Sequence, residues 1–317
     1  MILKSFTRKG EFCIIIKNMK TYRDGNWLHI ECDENITLQE FCERAYLPVR
    51  KVNQMIQLKK CLVDQKHCMM SDSLEHKTLS LCLFEEEDID FACDKNSAEV
   101  LYEDEYVLVV NKPSGIIIHE DDKSKTGTLN NYVAAYYQKT GQRHAVRPVH
   151  RLDRETCGCV LYCKCPWVQP YFDAAIEKKE IHRTYLAFVK GLPDFRSRTV
   201  KLPIGKDRHE NGKMRIAKTG KEAITQMECV HLDRKRRVSV LKCVLETGRT
   251  HQIRLHASAL KLPIINDVLY GVKEPSVKSM GLCAWKLEWK TPFSGVAQCA
   301  EASIPEDLKQ FAAKGEV

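Results

Sequence analysis

Residues 150–158 read HRLDRETCG, with Arg147 and Pro148 just ahead of them. The stretch sets Asp153 between Arg151 and Arg154, immediately before a β-rich run through Val160. Guanidinium groups beside a carboxylate favour its charged form. That arrangement serves a structural ion pair as readily as a chemical site, and exposed pairs contribute only about 0–1 kcal/mol. The neighbouring His150 hints at hydrolytic chemistry, yet no G-x-S-x-G elbow accompanies it. On these residues alone both readings stay open.

Working outward, Tyr106–Val110 reads as a strand, Lys112-Pro-Ser-Gly115 as a tight turn, and 116–118 as a further strand. A helix is predicted over 129–139, with Leu129, Tyr132, Val133, Tyr136 and Tyr137 inward and Gly141 just past its end. Strands are expected near Val160, over 185–190, 223–230 and 238–246, and helices over 168–179 and 250–260. Irregular alternation with hairpin-like turns points to an α+β fold with a mixed, largely antiparallel central sheet and flanking helices.

The first 84 residues read as a separate small α+β unit. Strands are expected at 12–16 and 27–30 around the turn Asp24-Gly25-Asn26. Thr37-Leu-Gln-Glu40 has the form of a capping box, and Pro48 opens a second helix with an apolar stripe of Val49, Val52, Met55 and Ile56. Short strands are expected at 62–63 and 79–83. Residues 85–97 form an acidic stretch that reads as a linker to a second domain, 98–317.

Lys and Arg number 50 against 42 Asp and Glu, a formal net charge of +8. This permits a polyanionic partner without requiring one. No apolar run approaches the roughly 18 residues of a membrane span, and the polar start carries no secretory signal, so a cytoplasmic protein is expected. The 15 cysteines of so long a chain read as buried apolar residues. The densest group, Cys157, Cys159, Cys163 and Cys165, has the spacing C-x-C-x3-C-x-C rather than that of paired zinc knuckles. In a strand these positions share one face, which favours packing.

HRLDRETCG resembles the catalytic motif of the RluA-type RNA pseudouridine synthases, HRLDRxTSG. Three further segments follow the family's order: VLVVNKPSGIIIH at 107–119, RTYLAFVKG at 183–191, and TGRTHQIRLHASALKLPIINDVLYG at 247–271. The resemblance covers about two-thirds of the chain, from Glu99 to Ser303. Cys157 stands where the family has Ser, and Glu120 follows His119 where Pro is frequent.

The resemblance implies the pseudouridine synthase fold and isomerisation of uridine within RNA, with no metal or organic cofactor. Asp153 would be the catalytic carboxylate, and Arg254 its partner. Tyr185 would pack on the target base, and Arg151 would occupy the space left by the flipped nucleotide. His150, Arg154, Lys112 and Arg249 are lesser candidates for RNA contact. At helical spacing His251, Arg254, Leu255 and Ser258 share a face, so Arg254 can project from a buried or cleft-facing side; as the partner the resemblance implies, it would hold Asp153 with a two-pronged contact. The expected partner is a structured RNA, ribosomal or transfer, with no membrane, no required protein partner and a monomeric state. Residues 1–84 resemble a divergent S4-like RNA-binding domain, in which Arg50, Lys51, Lys59 and Lys60 would lie near phosphates. One rival is a catalytically silent RNA-binding protein of the same fold. Another is a glycoside hydrolase, disfavoured because such enzymes use paired carboxylates.

Overall fold

A hairpin turning at Gly25 (φ 55) opens the described part of the chain, pairing Lys20–Asp24 (β1) with Trp27–Cys32 (β2). In the computed structural model, residues 19–121, 124–208, 210 and 212–312 are described. The strand expected at 12–16 lies outside them; the strand that enters this turn is β1. The chain divides into two units, Met1–Glu85 with Lys290–Val296, and Glu86–Trp289 with Ala297–Val317.

In the first unit, α1 (Leu38–Arg44) starts on the expected capping box. Thr37 Oγ1 accepts from the Glu40 N–H at 3.2 Å, and Glu40 Oε2 accepts from the Thr37 N–H at 2.7 Å. Helix α2 (Val49–Gln57) begins after Pro48 and buries Val52, Met55 and Ile56. Strands β3 (Cys61–Val63), β4 (Lys66–His67) and β5 (Lys77–Cys82) complete a sheet of order β1-β2-β5-β3-β4.

The second unit begins with β6 (Glu99–Glu103), β7 (Val107–Lys112) and α3 (Leu129–Thr140), which ends at Gly141 in the left-handed conformation, φ 69. There follow β8 (Cys157–Cys163), α4 (Gln169–Glu177), β9 (His182–Lys190), β10 (Ser197–Lys201), β11 (Ile204–Lys206) and β12 (Met214–Ile216). Then come β13 (Ile224–Asp233), β14 (Val238–Leu245), α5 (Gln252–Ala259), β15 (Leu282–Lys290) and β16 (Ala297–Glu301). Nine strands form a mixed, largely antiparallel sheet of order β10-β13-β14-β9-β15-β8-β7-β6, with β16 beside β15, while β11 and β12 pair separately.

Residues 116–118 are not a strand. Their carbonyls serve other elements: Ile117 and Ile118 accept from the Leu129 and Asn130 N–H groups that open α3, and Ile116 accepts from Lys112 Nζ. The acidic stretch is tied within the second unit. Glu86 and Asp88 accept from Arg143, Glu87 from Arg147, and Asp90 from the Val146 N–H.

Every residue of β8 is buried. Val160 and Tyr162 pack with Leu108, Val110, Val133 and Tyr137 in the main core, while Cys157, Cys159 and Cys163 line the opposite face by parity. Burial pushes the Cys159 thiol up to about 12, so it stays protonated and packs as an apolar group. Strand β8 runs parallel to β15 with Gly158 opposite Ala284. Gly158 has φ 110, and a Cβ there would stand 2.2 Å from the Ala284 carbonyl oxygen.

This register seats the turn that precedes β8. Gly158→Ala is therefore expected to lower stability by more than about 2 kcal/mol, through both overpacking and a strained φ. Urea unfolding checks this, and an unchanged midpoint would refute it.

Candidate active site

Helix α5 is seated before any charged group is considered. Gln252, buried, donates through Nε2 to the Ile224 carbonyl at 3.0 Å and to Thr225 Oγ1 at 2.9 Å. Its Oε1 accepts from Thr247 Oγ1 and from the Arg249 N–H. One turn later His256 bonds Thr225 Oγ1 and the Leu202 carbonyl at 2.9 and 3.0 Å. The helix is thus pinned to β13, and Arg254 projects from a set orientation.

The turn carrying Asp153 is strapped from the other side. Lys112, fully buried, donates through Nζ to the carbonyls of Pro113, Ile116 and Arg154 at 3.0, 2.8 and 2.8 Å. Burial lowers its pKa to about 8. Ser114 Oγ donates to the Glu155 carbonyl, the Gly115 N–H to the Arg154 carbonyl, and the Thr156 N–H to the Asp153 carbonyl. Side-chain and backbone donors converge on three successive carbonyls, so the turn has little freedom.

Arg254 and Asp153, separated by 101 positions, meet at 3.1 Å between Nη1 and Oδ2. The expected two-pronged contact, however, goes elsewhere. Arg254 Nε and Nη2 donate to Asp267 Oδ2 and Oδ1 at 2.8 and 2.7 Å, leaving a single bond for Asp153. The Asp267 side chain has no solvent exposure and that of Arg254 has 5%. Asp267 Oδ1 also accepts from the Leu269 and Tyr270 N–H groups. Burial opposes its charge, but Arg254 and these two N–H groups outweigh burial and hold its carboxyl below the usual range.

His251 precedes the helix with φ 59, in the left-handed region, rather than lying on its face. Its Nδ1 is 2.9 Å from Tyr270 Oη, which accepts from the Met214 N–H at 2.7 Å. Its Nε2 stands 3.8 Å from Asp153 Oδ2. Burial lowers the imidazole pKa against the pull of Asp153, which favours the neutral ring at neutral pH.

These groups line a cavity of about 260 Å³ whose walls include Arg151, Asp153, Arg183, Tyr185, His251 and Arg254. Tyr185, on β9, is buried, and burial raises its phenol pKa, so the hydroxyl keeps its proton. Arg151 is exposed, and Arg183 half-buried. The structure therefore gathers all four expected site residues, Arg151, Asp153, Tyr185 and Arg254, around one cavity.

Among the lesser candidates, Lys112 and His150 are buried. Lys112 holds backbone carbonyls, and His150 Nε2 accepts from the Leu161 N–H at 3.2 Å, so neither is presented to RNA. Arg249 is exposed and donates through Nε to the Glu222 carbonyl, while exposed Arg154 lies 3.9 Å from Asp121. Sequence reasoning missed Asp267 and Arg183, although both lie inside the motifs it quoted.

The RNA pseudouridylate synthase family matches residues 106–259. An uncharacterized RNA pseudouridine synthase, YhcT of Bacillus subtilis, is 37% identical over 213 residues, 67% of this chain and 70% of the relative. Ribosomal large subunit pseudouridine synthase D of Neisseria meningitidis is 35% identical over 237 residues, 70% of this chain and 62% of the relative. The solved structure of human RNA pseudouridylate synthase domain containing 1 shares the fold at a TM-score of 0.55 and 24% identity, covering 67% of this chain and 84% of that one.

Burial, with Arg183 nearby, lowers the His150 pKa to about 3. Between about 6.5 and 3 the unfolded chain binds a proton that the folded ring refuses, so stability falls as pH drops through that window. The slope is about 1.4 kcal/mol per pH unit at most. His150→Gln places an acceptor oxygen near the Nε2 position and should flatten the acid limb of thermal stability. A limb as steep as that of the unaltered protein would refute this.

Proposed function

Because the chain belongs to the RNA pseudouridylate synthase family, we propose that it isomerises uridine to pseudouridine in a structured RNA, with Asp153 as the reacting carboxylate. The observation that carries this reading is the half-buried Asp153 in a cavity, held at one oxygen by the buried guanidinium of Arg254.

In the isomerisation the N1–C1′ bond breaks, the uracil turns while held, and C5 bonds to C1′. C5 loses a proton and N1 gains one, so nothing is oxidised and no energy source is consumed. Asp153 acts as nucleophile at C1′ or as base at C2′; both routes use the carboxylate that Arg254 Nη1 holds at 3.1 Å. Tyr185 offers its ring to the uracil, and its position beside Asp153 in the wall of the cavity supports that role. Arg151, exposed at the cavity, fills the space the nucleotide leaves, offsetting part of the few kcal/mol that extrusion costs.

A hydrolase reading fails on geometry. Glycosidases pair an acid with a base or nucleophile. The second carboxylate beside Asp153 is Asp267, and four N–H donors already occupy its oxygens away from solvent. Fully enclosed, it is not presented to substrate.

The similarity to the Neisseria ribosomal large subunit synthase makes large-subunit ribosomal RNA the first substrate to test, ahead of transfer RNA. We also read residues 1–84 as an S4-like RNA-binding unit, supported by two short helices, set between the β1–β2 hairpin and the other three strands of a small sheet, and by the exposed Arg50 and Lys59. Cytoplasmic action suits this reading. Among the described residues no helix is long and apolar enough to cross a membrane.

Asp153→Asn keeps the side-chain shape and removes the charge. It is expected to abolish pseudouridine formation while leaving RNA affinity within about threefold, since phosphate contacts carry most of it. Pseudouridine mapping of total RNA from cells lacking the gene, complemented with either form, names the target site. Full modification by the Asn form would sink the assignment of Asp153. A map unchanged by loss of the gene would favour a silent RNA-binding protein.

A further inference from the structure

We propose that Asp267 is a positioning residue for this isomerisation: it takes Nε and Nη2 of Arg254, so that Nη1 alone holds Asp153 through Oδ2 and the other oxygen, Oδ1, is turned to the substrate. The inference rests on the reading of Asp153 as the reacting group and adds which of its oxygens reacts and what selects it.

A guanidinium presents five N–H bonds in a rigid plane, and a carboxylate facing it edge-on takes two of them in parallel. With two carboxylates beside Arg254, only one can take the Nε–Nη2 edge. The structure gives that edge to Asp267, at 2.8 and 2.7 Å. Asp153 receives one bond of 3.1 Å, from Nη1 to Oδ2. The nearest nitrogen of His251 also approaches Oδ2, at 3.8 Å. Among the described residues no side chain is bonded to Asp153 Oδ1. Were Arg254 free to rotate, its edge would be drawn to Asp153, and both oxygens would be tied up.

Asp267 is itself held rigidly. Its backbone carbonyl accepts from the Gly271 N–H at 2.9 Å, and a Cβ at Gly271 would lie 2.1 Å from the Ile264 carbonyl oxygen, so the loop closes tightly upon itself. Oδ1 of Asp267 binds the Tyr270 N–H at 3.2 Å. The Tyr270 ring lies 5.2 Å from the Arg254 guanidinium carbon, and its hydroxyl meets His251. Asp267, Tyr270, His251, Asp153 and Arg254 thus form a closed frame around one carboxylate oxygen. A residue that merely neutralised a buried cation would need neither the edge geometry nor this frame.

The test measures kcat and KM for Asp267→Asn and Asp267→Glu on the RNA whose modification is mapped, using the full chain. The Asn form can keep one oxygen for the Leu269 and Tyr270 N–H groups and loses the second acceptor. The Glu form keeps the charge but shifts the guanidinium by about one methylene. In both, kcat should fall about 10- to 100-fold with KM within about threefold, the signature of misplacement rather than lost binding. On an Arg254→Lys background, Asp267→Asn should cost much less than it does alone, because the residue acts through Arg254.

Cooperative thermal unfolding and RNA affinity identify folded variants. Folded variants with kcat within about twofold of wild type, or losses that multiply in the double variant, would overturn the inference. So would failure of both forms to fold, which would assign Asp267 to the fold alone. Asp153→Asn is run in parallel. If it remains active, the functional reading falls; if it is inactive while the Asp267 variants turn over normally, only this inference falls.

Discussion

The guanidinium of Arg254, removed from water between two carboxylates, is the interaction on which the site depends. Burying a cation costs several kcal/mol unless it is paired, and here Nε, Nη1 and Nη2 each donate one bond to a carboxylate. Desolvation pulls the Arg254 pKa down, but Asp267 and then Asp153 more than offset it. The three groups carry a net charge of −1. Asp267, fully enclosed and carrying two further N–H bonds, is committed to the guanidinium. Asp153, with 28% of its side chain exposed, keeps a face toward the cavity. Burial and hydrogen bonding together thereby separate a committed carboxylate from one that faces the cavity.

The rest of the second unit makes that separation durable. Gly158 lets β8 pack against β15 with no side chain in the way, and the Asp153 turn enters directly from that strand. Lys112 ties the same turn to the 113–116 loop through three carbonyls. Gln252 and His256 lock α5 to β13, which sits beside β14 and thus one strand removed from the Tyr185 strand, β9. Three anchors on three parts of the chain therefore converge on one side-chain contact. Because each is buried, the contact does not depend on loop order.

Local physics was legible in the sequence wherever the determinant was local. The Thr37–Glu40 box, the Gly141 stop and the shared face of the buried β8 cysteines follow from spacing and side-chain chemistry. The pairing of Asp153 with Arg254 came from motif resemblance, since no local pattern joins residues 101 positions apart. Asp267 escaped because it lies in a turn without periodicity, and its partner is fixed only by tertiary contact. His251 was placed on a helix face, yet it adopts φ 59 before the helix begins. Lys112 and His150, lesser candidates for RNA contact in the sequence, are buried. Their burial depends on acceptors and donors from distant segments, such as the Arg154 carbonyl and the Leu161 N–H. The strand expected at 116–118 failed for a related reason, its carbonyls being committed to α3 and Lys112.

Cys157, in place of the Ser of the family motif, is a departure confined to packing outside the cavity. Its side chain is buried on β8, with Sγ 3.7 Å from the Leu282 carbonyl and Cys283 opposite in the parallel register. The hydrogen bond with Cys283 lowers the Cys157 thiol pKa, with Lys112 adding to the effect, while that of Cys283 is raised. The Cys157 thiol donates to the Leu282 carbonyl across the strands, a role a Ser hydroxyl would fill by donating to the same carbonyl. Cys157 does not belong to the cavity wall, which passes from Thr156 to residues of β9 and α5. A sulfur in that position fills more volume than an oxygen and tolerates longer contacts, which suits the space between β8 and β15. The substitution thus acts on the packing beneath the Asp153 turn and leaves the lining of the cavity unaltered.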